Sequence, residues 1–279
     1  MVHAYARLLE EGKRFPLGEA GPLPRRPMAE QAGQALFFAP HPDDECISGG
    51  LALRLMREGG VKLTNVAVTQ GSKKERQAER WAELQKACDY LDFGLASTGP
   101  AGLEKINPTT RQENPRHWSE CVRVVSALLS THQPRVIFFP HVADWNSTHI
   151  GTHWLVMDAL KAMPAGFGCY LVETEFWGQM TAPNLMVEIS ADDLADLVTA
   201  TTFHLGEVRR NPYHLLLPAW MMDNVRRGSE LVSGQGSAAP SYAFAALYRL
   251  RRWASGEVRE VLKGGRHIAA GENVATLFP

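Results

Sequence analysis

The sequence is short of the features that would place it quickly. Its four cysteines, Cys46, Cys88, Cys121 and Cys169, are far apart and form no C-x-x-C pair. That argues against a zinc knuckle and a disulfide scaffold and leaves reduced thiols as the expectation. Neither sign of charge is in excess: 29 basic against 30 acidic side chains give a formal net charge of -1. No global field therefore recruits nucleic acid or an anionic membrane. The arginine pairs Arg25-Arg26, Arg209-Arg210 and Arg251-Arg252 are scattered and read as solvated faces. No apolar run approaches the roughly 18 residues of a membrane-spanning helix. The opening MVHAYARLLEEGKRF lacks the apolar core of a secretory signal. The expectation is a cytoplasmic protein with no membrane and no nucleic-acid partner, in which the sequon Asn146-Ser147-Thr148 has no role. No internal repeat is visible, and the Gly-rich stretch 233–240 lacks the Lys-Ser/Thr ending of a phosphate loop.

What is present is an ordinary globular composition, 45% hydrophobic and 21% charged over 279 residues, long enough for one large core with additions. Residues 1–34, which include GPLPRRP, read as an extension: a short helix, then an irregular arm. From residue 35 apolar runs alternate with helical patterns. ALFFA (35–39), VKLTNVAVT (61–69), RVIFF (135–139), GCYLVETEF (168–176) and NLMVEIS (184–190) read as strands. Helices are expected near 46–58, 74–91, 117–132, 149–163 and 191–204. The Gly-, Pro- and Thr-rich stretch 97–115 reads as a long loop whose length suggests a substrate-facing role. Near-continuous apolar strands alternating with helices argue for an α/β fold, with a mostly parallel sheet covered on both faces. Beyond Glu207 the pattern changes. RRNPYHLLLPAWMMDNVRRG and YAFAALYRLRRWASGE read as helices joined by a long loop, with Leu215–Leu217 and Trp220–Met222 covering the cleft or a subunit interface.

In such sheets ligands bind beyond the carboxyl ends of the strands, which places His41–Asp44, Gln70–Ser72 and His141–His149 on one rim. The segment Pro40-His41-Pro42-Asp43-Asp44-Glu45 puts an imidazole and three carboxylates directly behind an apolar strand. A plain helix start explains one or two acids. It does not explain a histidine fixed between two prolines, nor adjacent carboxylates that repel unless a cation is near. A divalent ion resolves both: His41 and Asp44 turn toward it and Asp43 points past it toward a water. In DWNSTHIGTHWLV, His149 and His153 lie one helical turn apart. His153 reads as a packed helix-face histidine, whereas His149 falls at the helix start and on the rim.

APHPDDE resembles the A-H-P-D-D-E signature of the PIG-L/LmbE-like zinc-dependent de-N-acetylases, with His41 to Glu45 matching and Pro40 replacing a frequent alanine. The V-x-x-T-x-G of Val66–Gly71, the Arg80-x-x-Glu83-Leu84 that follows, PRVIFFPH with its D-W-x-x-x-H loop, and VEIS after Pro183-Asn184 extend the resemblance over roughly 35–205.

The resemblance implies a Rossmann-like core at 35–205; the different pattern beyond it reads as a mainly helical segment at 206–279 packing on the core or on a partner subunit. The resemblance also implies hydrolysis of the N-acyl, ordinarily N-acetyl, amide of an N-acetylglucosamine-type conjugate. It makes His41, Asp44 and His149 the ligands of Zn2+, with His153 the alternative third ligand; a two-His, one-carboxylate set also suits Fe2+. Asp43 is then the general base, acting on a zinc-activated water. Asn146 stands where the family's H-P-D-H motif has its first histidine. It can donate a hydrogen bond to an oxyanion but cannot deliver a proton, so Asp43 shuttles it, with His141, His153 and His204 as other donors. Arg80 is implied at the sugar pocket. Trp145 offers a sugar a stacking platform, and Ser72, with Lys73 and Lys74, can meet a phosphate or carboxylate. The other readings are a non-catalytic sugar- or nucleotide-binding module and a metal-dependent esterase; a homo-oligomer is open under every reading.

Overall fold

The computed structural model describes residues 1–24 and 33–279; Arg25-Arg26 and the rest of the stretch 25–32 of the expected arm lie outside them. Helix α1 (Val2–Gly12) precedes the core. Strand β1 (Gln34–Ala39) pairs in parallel with β2 (Lys62–Ala67) on one side and β4 (Val136–Pro140) on the other. Beyond β2 lies β3 (Gly94–Ser97), and beyond β4 lies β5 (Cys169–Thr174), both parallel. The order β3-β2-β1-β4-β5 reverses direction between β1 and β4. That reversal opens a crevice at the carboxyl ends of these two strands.

Strand geometry explains the apolar runs. Successive side chains point to opposite faces, so Phe37 and Phe138 join one core layer while Leu36, Phe38, Ile137 and Phe139 join the other. The first layer is covered by α2 (Asp44–Ile47), α3 (Gly50–Gly59), α4 (Gln77–Leu91) and, later in the chain, α8 (Ala191–Thr202). The second is covered by α6 (Pro115–His132) and α7 (Ser147–Lys161) through Trp118, Val125, Leu129, Leu155 and Leu160. The α/β expectation therefore holds. The helix expected at 46–58 is two helices, broken at Gly49, where an added Cβ would stand 2.0 Å from the Glu45 carbonyl oxygen.

Two expectations are corrected. Residues 97–115 are not one long loop: α5 (Pro108–Glu113) follows its cap Asn107, whose side chain accepts from Thr110 N–H, so only 98–107 and Asn114 are irregular. The stretch YAFAALYRLRRWASGE is not helical. It forms β7 (Ala245–Ala254), antiparallel to β5 and to β6 (Leu185–Glu188), and turns into β8 (Glu257–Glu260). Its Ala, Leu and Arg are good helix formers, but Trp253 opposite Cys169 and Leu247 opposite Met186 fill the sheet, and burial overrides propensity. With β9 (Arg266–Ile268) beside β6, much of the C-terminal segment is sheet. Its helices are α9 (Leu205–Val208) and α10 (Tyr213–Leu231). Leu217 and Met221 of α10 are buried in the core, while Leu216 and Met222 are exposed. Among the described residues no helix is long and apolar enough to cross a membrane.

Candidate metal centre

The reversal between β1 and β4 sets the site. The loop after β1 carries His41, Asp43 and Asp44; the loop after β4 carries Asp144, Asn146 and His149. Nitrogen atoms of His41 and His149 and a carboxylate oxygen of Asp44 all lie within 4.8 Å of one another. His149 Nε2 is 3.3 Å and His41 Nδ1 3.5 Å from Asp44 Oδ2. Donor atoms bound to one tetrahedral ion at about 2.0–2.2 Å stand roughly 3.4 Å apart, so this spacing suits a shared cation. Asp44 Oδ2 also accepts from His41 N–H at 2.8 Å, tying the loop back on itself.

Buried polar atoms left without partners give the same indication. Asp44 Oδ1 and His149 Nε2 are buried with no hydrogen bond, an expensive state unless something else satisfies them. Two imidazoles and a carboxylate are the donor set of a borderline divalent ion such as zinc. The electrostatics agree. Burial alone would raise the Asp44 carboxyl, but His149 and His41 outweigh it and hold it well below the usual carboxylate range. Burial would lower His149, yet Asp44 and Asp144 push it up to about 10. The site is thus an anionic cage that attracts positive charge, a proton when no cation is present.

Asp144 was not singled out from the sequence as a side chain with a task. Its Oδ1 accepts from Asn146 N–H at 2.8 Å, and its Oδ2 is 3.5 Å from His149 Nδ1. A carboxylate behind an imidazole fixes the ring and its tautomer and leaves Nε2 to bind. The signal was present as an acid five residues before the histidine, at the strand end.

Asp43 adopts φ 118°, ψ −26°, a left-handed conformation that non-glycine residues avoid. Such strain costs about 1–3 kcal/mol and persists only where surroundings impose it. Burial and the neighbouring Asp44 carboxylate push the Asp43 carboxyl well above its usual range, against the pull of His204 and Arg80. Asp43 lines a cleft of about 530 Å³ together with His41, Ser72, Arg80 and Asn146.

Other candidate residues fall in varied places. Asn146 caps α7: its Oδ1 accepts from Thr148 and His149 N–H, a task that does not use its amide donors. Arg80 lines the cleft but donates to Pro42 C=O at 3.0 Å and lies 3.9 Å from Glu207. Its neighbour Glu83 is buried and accepts from Gly206 N–H. Trp145 is 78% exposed and does not line the cleft. The aromatic wall comes instead from Phe176 and Trp177, after β5, and Tyr213, at the start of α10. The run Glu175-Phe176-Trp177 at a strand end was its sequence signal. Residues Leu103–Asn107 also line it.

His153, the alternative third ligand, is turned away from the cluster: its Nδ1 is 3.0 Å from Pro140 O and its ring packs on Phe139 and Trp154. Burial, together with the nearby charges of Arg251 and Arg111, lowers it to about 4, so it is neutral; the nearby Glu173 is paired with Arg251. His141 is bonded to Gly178 O and His204 to Glu45, and none of these three histidines lines the cleft. Glu45, Cys46 and His204 also gather three donor atoms within 4.8 Å, but they are wholly buried and bonded to one another.

Comparison with known proteins gives the site its relatives. Residues 36–160 match the family described as PIG-L: GlcNAc-PI de-N-acetylase. Both loops that build the cluster fall inside this stretch. Among solved structures, the chain is similar to N,N'-diacetylchitobiose deacetylase from Pyrococcus horikoshii, at 17% identity and a TM-score of 0.58, covering 92% of this chain and 93% of that one. It is also similar to the A40926 pseudoaglycone deacetylase Dbv21, at 13% identity and TM-score 0.57 over 81% and 99% of the two chains. A third is GalB, a 4-carboxy-2-hydroxymuconate hydratase from Pseudomonas putida KT2440, at 15% identity and TM-score 0.57 over 78% and 95%. The likeness to these structures establishes the fold; a hydratase among them means that the fold alone does not select the reaction. No curated protein matches the chain by sequence.

Proposed function

From the match of residues 36–160 to the PIG-L family, we propose that this protein is a divalent-metal-dependent hydrolase that removes an N-acyl group, ordinarily acetyl, from an N-acetylglucosamine-type conjugate. The observation that carries this reading is the convergence of His41, Asp44 and His149 beside the strained, cleft-lining Asp43. A binding module needs no carboxylate held in a costly backbone conformation next to a cation cage.

His41, Asp44 and His149 hold the cation, with Asp144 orienting His149 from behind. When bound, a divalent ion such as zinc polarises an acyl oxygen and lowers the pKa of a coordinated water toward 7. Asp43 takes the proton from the attacking water. Its raised pKa makes it a better base than an ordinary aspartate and lets it give the same proton to the leaving nitrogen. That dual task falls to Asp43 because His141, His153 and His204 do not line the cleft. Asn146, at the cleft wall, offers an amide N–H to the developing oxyanion. Phe176, Trp177 and Tyr213 give the sugar an apolar wall, and Arg80 and Ser72 line the same cleft.

The test is amine release from N-acetylglucosamine conjugates by wild type and Asp43→Asn, both loaded with zinc. A kcat lower by about 10²–10⁴-fold in the variant, with cation retained, is expected. Equal turnover in both removes Asp43 as the base.

A further inference from the structure

Beneath the left-handed backbone at Asp43 runs a chain of hydrogen bonds that ends on a side chain outside the family-matched segment. Asp43 N–H donates to Glu45 Oε2 at 3.0 Å, and the other oxygen of the same carboxylate accepts from His204 Nε2 at 2.8 Å and from Cys46 Sγ at 3.1 Å. Glu45 and His204 are 0% exposed. Facing a carboxylate, Nε2 must carry the hydrogen. A carboxylate this deep keeps its place only while its oxygens are satisfied. His204 itself sits in the bend between α8 and α9, held by its own N–H to Thr201 O at 3.2 Å. Two residues on, Gly206 N–H donates to Glu83 Oε1 at 3.1 Å, which pins the bend to α4. The same bend leads into Glu207, which pairs with Arg76 at 3.2 Å beside the Arg80 that bonds Pro42 O.

We propose that His204 is a positioning residue: through Glu45 it holds the Asp43 backbone in the left-handed conformation that places the Asp43 carboxylate in the cleft. This rests on the reading of Asp43 as the general base. His204 does not touch substrate or cation; it acts by geometry. Nothing in the chain order brings position 204 near position 43, and the contact arises because α8 packs on α2 and α4. A displacement of about 1 Å in a reacting group costs on the order of 10²-fold in rate, so losing this bond lowers kcat and leaves KM nearly unchanged.

The test compares His204→Gln and His204→Asn in the full, zinc-loaded chain. The glutamine amide nitrogen reaches the place of Nε2 and the asparagine amide does not. The expected result is wild-type-like kcat in His204→Gln and a kcat lower by about 10²-fold in His204→Asn, with KM and cation content unchanged in both. Adding His204→Asn to Asp43→Asn should then cost almost nothing more, because both changes act through one group. Equal activity of His204→Asn and wild type overturns the proposal. So does a loss in both variants that is accompanied by lost cation or lost fold, since that marks a merely structural histidine. If Asp43→Asn alone keeps full activity, the reading of Asp43 as base has failed, whatever position 204 does.

Discussion

His149 Nδ1 lies 3.5 Å from Asp144 Oδ2, and both side chains are almost wholly buried. This contact turns a helix-start histidine into an oriented donor, because one ring nitrogen is engaged from behind and the other faces Asp44 and His41. Asp144→Asn keeps the shape but removes the charge behind the ring. Zinc affinity, measured by chelator competition, should fall about 10- to 100-fold.

The aromatic wall should matter and the exposed tryptophan should not. Trp177→Ala should raise KM for an N-acetylglucosamine conjugate about three- to tenfold, the range of one aromatic contact. Trp145→Ala should leave KM unchanged, since Trp145 is 78% exposed and outside the cleft. Steady-state kinetics of the two variants side by side checks both.

Much of this site was legible because it is local. His41 to Asp44 is a contiguous run, and a strand followed by a helix start places it at a sheet rim. The Asp144–His149 loop was legible for the same reason. What could not be read was non-local. Trp145 is adjacent in sequence to the site loop, yet the chain turns it outward, while Trp177 and Tyr213 arrive from other elements. The β7 strand was hidden because Ala, Leu and Arg favour helices and only its partners β5 and β6 make it a strand. The Glu45–His204 bond spans more than 150 residues and leaves no mark in either local sequence.

Acid should find His153. Its folded pKa, about 4, is below the unfolded value of 6.5, because burial opposes its charging. A depressed folded value means that the unfolded chain takes up the proton first. Stability is therefore complete above pH 6.5 and is lost as pH falls toward 4, by up to about 3 kcal/mol from this group. His153→Gln should flatten that part of the profile. Urea unfolding of both proteins between pH 4 and 7 measures the difference.

The most direct measurement is the divalent-cation content of purified protein after zinc addition and removal of excess, for wild type and Asp44→Ala. The expected result is about one ion per wild-type chain and none held by the variant, whose remaining histidines lack their shared carboxylate. Wild type that binds no cation, or a variant that binds as much, would contradict the assignment of His41, Asp44 and His149 as a metal centre.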